Sequence, residues 1–396
     1  MVQRIEEIYN TTNFRQKDAL NALVLAQTLK EPGISRKEIT SRFKLRPSSV
    51  SQACIELIDR GILQQKVSAD SNQRGRPEVS LYAVTDHWIA ACIFMESLDF
   101  RAAFIDITGR IRPVKLPLQR RTNADLQSRF ENTLNSVISL QPRDSKFIGL
   151  GLSLPGFRNV EENTWITSTR LGEIHQVSSR TKDPDPDMKL NWIRSVDART
   201  QALLLSNPEY RTGTTVLFHW GYGICISLAV NGKIINDGSS KFGELGHTIV
   251  NYQNGKSCRC GGRGCLETEA ALWALLPSLQ KRFRDLPENE REFSAFLANR
   301  FMEELPEIES AIEYINVGLV TISKLLSPDR ILLYGPFTDH NPIYQRVKTL
   351  FSENRPKSEF STINLSRIRH TPADEVIGAT NSLFLQALRR DLRAGD

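Results

Sequence analysis

A chain of 396 residues that is 40% hydrophobic and 24% charged is long enough for two or three domains, each with its own core. It has no run of about 18 apolar residues, and its start, MVQRIEEIYNTTNFRQ, lacks a signal-type apolar core; a membrane span is excluded and a cytoplasmic location expected. Of the net charge of +6, residues 1–84 carry +4 (13 Lys and Arg against 9 Asp and Glu), a basic bias that points toward nucleic acid.

The first segment, FRQKDALNALVLAQTL at 14–29, places Leu20, Leu23 and Val24 at helical spacing, with Ala26 and Leu29 extending the apolar face. Pro32 and Gly33 end it. Ser35 and Glu38 fit a capping box for a short helix to about Phe43, and KLR makes a turn. Pro47 suits the first position of a third helix, where its missing N–H is not needed. In that helix Val50, Ala53, Cys54, Leu57 and Ile58 share one face and must be buried. Arg46, Ser48, Ser49, Ser51 and Gln52 cluster at its N-terminal end, off that face. A recognition helix presents this end to the major groove, where hydroxyl and amide groups bond to base edges or phosphate.

Next, ILQQKVSADSNQRGRPEVSLYAV reads as strand, polar turn, strand. Arg74 and Arg76 lie toward its tip, where a wing lays arginines in a minor groove. Any one of these helices also fits a protein-binding subdomain. The order of all the parts predicts a winged helix-turn-helix over 1–84 whose partner is double-stranded operator DNA.

From residue 85, WIAACIFM, RAAFIDI and RIRPVKLPL read as three consecutive strands, with Thr108-Gly109 at the second turn. A helix over about 124–138 and the strand FIGLGLSL follow, running into Leu154-Pro155-Gly156. TTVLFHW, ICISLAV, the Asn231-Gly232 hairpin and RILLYG form a second set, and residues 364–391 carry a late strand and a closing helix.

Between the sets lies Cys258-x-Cys260-x4-Cys265, with His247 upstream. Three thiolates and an imidazole make the closed tetrahedral shell of a structural Zn2+, one per chain. The alternatives are three unliganded loop cysteines or a redox pair, although Cys-x-Cys is not the thioredoxin-like Cys-x-x-Cys. Glu244 and Glu267 flank the cluster. A metal gathering both ends puts Glu244, His247 and Glu267 around one spot, a set of hydrogen-bond acceptors suited to sugar hydroxyls.

GELGH followed by CRCGGRGCLE resembles the signature of the ROK family, whose members are sugar kinases and sugar-responsive regulators. The N-terminal parts with RGRP are similar to its regulator branch, the xylose, N-acetylglucosamine and Mlc-type repressors. The resemblance implies an α/β protein: a winged helix-turn-helix, then a two-lobed actin/hexokinase-like (ribonuclease H-like) sugar-kinase fold. The first lobe is expected over 85–195 and the second over 196–375 with the zinc loop 247–265; the helix near 376–391 is expected to return to the first lobe. It also implies sugar contacts at Gly156, Glu244, His247 and Glu267, and at Asp197 in Val196-Asp197-Ala198-Arg199, where family kinases hold their base. Asp197 equally fits an ordinary helix-start residue.

The family's phosphate turns are altered. Asp-x-Gly-Gly-Thr corresponds to Met95-Glu96-Ser97-Leu98-Asp99, without glycine, and Gly-Thr-Gly-Ile-Gly-x-Gly to the stretch Gly221–Ser227, which keeps two glycines. Side chains there obstruct the approach of phosphate to backbone. The expectation is a regulator without enzymatic activity, a repressor acting as a homo-oligomer (dimer or tetramer), with a sugar or sugar phosphate as effector. Arg170 and Arg199 hint at a charged ligand. The rivals are an ATP-dependent sugar kinase with an accessory DNA-binding head, and a regulator controlled by a protein partner.

Overall fold

The computed structural model describes residues 16–67, 79–96, 99–116, 126–159, 161–162, 164–166, 176–178, 189–236, 242–298, 300, 302, 304–355, 362–369 and 371–392. The chain begins with helices α1 (Gln16–Lys30), α2 (Arg36–Phe43) and α3 (Pro47–Asp59), then the antiparallel pair β1 (Leu63–Val67) and β2 (Val79–Ala83). The capping box is formed: the Ser35 hydroxyl accepts the Glu38 N–H at 3.2 Å, and the Glu38 carboxylate accepts the Ser35 N–H at 2.7 Å. Lys44, with φ 52°, reverses the chain, and Pro47 opens α3. The face of α1 differs from the sequence expectation. Ala22, Val24, Leu25 and Ala26 are buried, whereas Leu20 and Leu23 are half-buried. The reason is that α1 packs against both α3 and β2, so its burial follows two contacts rather than one stripe.

Two five-stranded sheets follow. The first comprises β3 (Trp88–Glu96), β4 (Asp99–Asp106), β5 (Ile111–Pro113), β6 (Lys146–Leu154) and β10 (Leu190–Arg194), in the order β10-β6-β3-β4-β5. The second comprises β11 (Thr214–Trp220), β12 (Ile224–Val230), β13 (Lys233–Ile234), β14 (Arg330–Tyr334) and β15 (Asn364–Arg367), in the order β13-β12-β11-β14-β15. In both, an antiparallel meander of three strands is extended by two parallel strands on the side of its first strand. The chain thus builds the same topology twice, as expected for two kinase-like α/β lobes. Of the strand expected over RIRPVKLPL, Ile111–Pro113 is strand and 114–116 are not, although the Val114 N–H still donates to the Ala102 carbonyl at 2.8 Å; residues 117–118 lie outside the described residues. A small sheet of β7 (Phe157–Asn159), β8 (Thr164–Ile166) and β9 (Gln176–Ser178) was not foreseen.

Helix α4 (Leu126–Ser139) covers the first sheet. The helices α6 (Leu266–Ala270), α7 (Leu272–Arg282), α8 (Glu290–Leu297), α9 (Pro306–Leu326), α10 (Pro336–Asp339) and α11 (Asn341–Asn354) belong to the second half. Helix α5 (Ser195–Ser206) links the sheets, and α12 (Pro372–Asp391) packs along α5 and against β3, β6 and β10. Gly378 makes that crossing possible, since a Cβ there would lie 1.8 Å from the Ala198 carbonyl oxygen. Among the described residues no helix is long and apolar enough to cross a membrane.

The N-terminal helices and the body share one apolar cluster. Leu25, Val50 and Leu57 are continuous with Trp88 of β3 and with Leu383 and Leu388 of α12. The seam is polar at one point. The Asp391 carboxylate accepts the Trp88 indole N–H and a Lys146 ammonium proton, both at 2.8 Å. Burial alone would raise its pKa, but Arg390, Lys146 and Trp88 more than reverse this and hold it at about 2.

Two outcomes are expected. Gly378→Ala should cost roughly 1–3 kcal/mol through overpacking, read as a lower Tm. A carboxylate whose folded pKa is depressed stabilises fully above its ordinary range, so the Asp391 contribution, about 2 kcal/mol, should disappear as pH falls from about 4 toward 2. Denaturant titrations of Asp391→Asn should show that part of the acid dependence missing.

Candidate functional site

His247 ends a short 3-10 turn, and the chain then loops back through Cys258, Cys260 and Cys265 to the start of α6. Gly264, at φ +71°, allows the loop to close on itself: a Cβ there would lie 1.9 Å from the Asn251 carbonyl oxygen. The four donor atoms all fall within 4.8 Å of one another. Cys260 Sγ lies 3.7 Å from Cys265 Sγ, and His247 Nδ1 3.5 Å from Cys258 Sγ. Bonds of roughly 2.0–2.3 Å in a tetrahedron give edges of about 3.5–3.8 Å, so these residues fit a metal ion of that geometry. Burial and the adjacent thiols push the Cys265 thiol up to about 12, a cost that a bound dication would relieve. The other ring nitrogen, His247 Nε2, faces Glu244 Oε2 at 3.6 Å. A carboxylate in that position orients a ligating imidazole and is itself oriented by it.

Four of the five predicted sugar contacts meet at one cavity of about 190 Å³ between the lobes: Gly156, Glu244, His247 and Glu267. Asp197, expected either to contact the ligand or to be an ordinary helix-start residue, is not among the residues that line this cavity. It is fully buried, and Arg194 grips it with two bonds, Nε to Oδ2 at 3.0 Å and Nη2 to Oδ1 at 3.2 Å. The same guanidinium donates to the Ile226 carbonyl at 3.1 Å and reaches Glu244 at 3.5 Å. A buried arginine must be neutralised where it lies, and Asp197 is committed to that task.

The two glutamates differ in setting. Burial raises the Glu244 carboxyl to about 7; Arg194 opposes the shift and the charge of Glu267 adds to it. Near neutrality Glu244 therefore donates as well as accepts hydrogen bonds. Glu267 is fastened to the start of β12, accepting the Ile224 N–H at 2.8 Å, and its other oxygen lies 3.4 Å from the Trp273 indole nitrogen.

The turn joining β11 and β12, where family kinases cradle phosphate, is already occupied by a carboxylate. Glu290, at the start of α8, accepts the Tyr222 N–H at 2.6 Å, and its second oxygen is 3.4 Å from His219 Nε2. A Cβ on Gly221 would lie 2.7 Å from that carboxylate. The adjoining hollow is walled by the carboxylates of Glu96, Glu290, Asp339 and Glu375, against the cations Arg199 and Arg291. Polyphosphate would meet fixed negative charge there. At the other turn Glu96 is in place, while Ser97 and Leu98 lie outside the described residues.

Of the DNA-contact candidates, Arg46, Ser48, Ser49 and Gln52 are exposed and Ser51 is half-buried. The four exposed residues border an open groove between α1 and α3, beside Lys17 and Lys44. Arg74, Arg76 and Arg170 lie outside the described residues. The sequence reading missed Arg194, His219, Glu290, Tyr334 and Glu375. Only Arg194, three residues before Asp197 at a helix start, carried a readable signal.

The sequence profile of the ROK family matches residues 92–379. The Escherichia coli K12 DNA-binding transcriptional dual regulator NagC is 26% identical over 268 residues, 65% of this chain and 63% of its own length. The chain thus spans under two thirds of that relative. A solved ROK family transcriptional regulator, a homologue of the E. coli Mlc protein, matches with a TM-score of 0.64 at 20% identity, covering 95% of this chain and 97% of that one. A ROK glucokinase from Streptomyces griseus, solved with glucose and AMPPNP, matches with a TM-score of 0.57 at 15% identity, covering 74% of this chain and 98% of its own.

Elemental analysis of the purified protein should find zinc near one per chain. Cys258→Ser and Cys260→Ser should each bring it near zero and lower Tm; stoichiometric zinc in both variants would contradict the metal assignment.

Proposed function

The chain belongs to the ROK family, and on that basis we propose that it is a DNA-binding transcriptional regulator, a repressor, that senses a sugar in a cleft without kinase activity. One observation supports this reading. The cavity places the carboxylates of Glu244 and Glu267 beside His247 and Cys260 of the candidate metal cluster, while Glu290 accepts the Tyr222 N–H at the turn that phosphate would need.

The residues divide the work as follows. Glu244 and Glu267 bind ligand hydroxyls, with Gly156 opposite them from the other lobe. His247, Cys258, Cys260 and Cys265 hold a zinc ion, which supplies no open coordination position and serves to fix the loop. His247 is thereby set against Glu244. Asp197 neutralises Arg194 and takes no proton from a sugar hydroxyl. At the other end of the molecule, Arg46, Ser48, Ser49, Ser51 and Gln52 address the major groove, and the wing with Arg74 and Arg76 adds phosphate or minor-groove contacts.

Two copies of the chain present their recognition helices to paired half-sites, since one head alone has little specificity. Ligand bound between the lobes favours one arrangement of the heads, and a tenfold change in DNA affinity requires only about 1.4 kcal/mol of such preference.

Thermal unfolding against a panel of sugars and sugar phosphates, with and without Mg-ATP, tests the cleft. A sugar at about 100 times its Kd should add roughly 2.7 kcal/mol of stability, visible in Tm, and Mg-ATP should leave that shift unchanged. ADP release with any sugar in a coupled assay would instead establish the kinase. For the head, Arg46→Ala combined with Arg74→Ala and Arg76→Ala should weaken duplex binding and flatten its salt dependence, because each lost phosphate contact removes about one unit of slope.

A further inference from the structure

Helix α12 joins the ligand cleft to the DNA-binding head, with a charged side chain engaged at each end. In its first turn, Glu375 is buried and accepts the Ser153 hydroxyl proton at 2.7 Å, and its other oxygen pairs with Arg199. The Arg199 guanidinium lies over the Tyr334 ring, 5.0 Å from its centroid, and Tyr334 stacks on His219 with centroids 4.7 Å apart. Arg199, Tyr334 and His219 all line the cavity that holds Glu244 and Glu267. Whatever displaces Arg199 there pulls on Glu375.

Twenty residues of helix span about 30 Å. The helix is braced at its start by the Thr371–Asp374 capping box and along its length by the apolar cluster it shares with the N-terminal helices. At the far end the Asp391 carboxylate is held by Trp88 and Lys146, and its carbonyl oxygen accepts a guanidinium N–H of Arg60 at 2.8 Å. Arg60 is the residue that caps α3. The helix that presents Ser48, Ser49 and Gln52 therefore ends on the last turn of the helix that begins at the cleft.

We propose that α12 is the element through which occupation of the cleft reaches the recognition helix, with Glu375 and Asp391 as positioning residues at its two ends. This rests on the regulator reading and adds its route. Coupling of this kind requires one rigid element biased from both sites, rather than mere intermediacy.

Hydrogen exchange of the full-length protein, with residues 47–60 as readout, tests the route without a sugar or an operator. Glu375→Gln should raise exchange across 47–60 at least threefold although it lies at the opposite end of α12. Asp391→Asn should do the same, and the double variant should exceed Asp391→Asn by nothing measurable, because both cut one line. Ile331→Val, in the core of the second lobe and off the route, should leave 47–60 unchanged. If Glu375→Gln does not fold, Arg199→Lys gives the same test, keeping the charge beside Glu375 while losing the stack on Tyr334.

Change confined to 372–380 in Glu375→Gln, or effects that add in the double variant, would overturn the route. So would equal loosening of 47–60 by Ile331→Val. The regulator reading fails separately, if the wild-type protein does not bind a random-sequence 30-base-pair duplex at low salt.

Discussion

Arg194 is the constraint around which the cleft is arranged. Its guanidinium is almost wholly buried at the junction of β10 and α5, and no folded state leaves such a charge unpaired. Asp197, one turn on, supplies the bidentate partner; the Ile226 carbonyl and Glu244 accept two more protons from the second lobe. Several features follow from that one placement. Asp197 is held in a buried ion pair. Glu244 is drawn between Arg194 on one side and His247 on the other, which ties the cavity wall to the cysteine cluster. The two sheets are also joined through charge as well as through packing.

The same arrangement bears on the proposed sensing role of a kinase-shaped body. Binding a sugar requires convergent hydrogen-bonding groups, the part that the proposed function gives to Glu244 and Glu267. Transferring phosphate requires open backbone amides and positive charge. Here the amide of Tyr222 is spent on Glu290, and the neighbouring hollow is acidic. The internal carboxylate of Glu290 keeps the Tyr222 amide satisfied and ties the start of α8 to this turn.

Legibility in the sequence followed the range of the interactions. The helix-turn-helix was readable because its signals are local: Ser35 with Glu38, Pro47 at a helix start, and an apolar face from Val50 to Leu57. The cysteine cluster was readable because its ligands crowd a short stretch and carry their glycines with them. For Asp197 the sequence left a ligand contact and an ordinary helix-start role both open, since its pairing depends on a buried arginine whose cost is invisible until β10 is seen to end inside the molecule. Glu290 and Glu375 could not be found at all. They belong to helices that meet the cleft from distant parts of the chain, and nothing in their neighbouring residues distinguishes them from surface glutamates.

The most direct test of the central claim is an anisotropy titration of a duplex selected by this protein from a random-sequence pool, in Mg-ATP, with and without the monosaccharide that most raises its Tm. The account predicts at least a tenfold change in Kd on adding the sugar, with ATP left intact. A Kd unchanged by the sugar, or ATP consumed as the sugar is added, would contradict it.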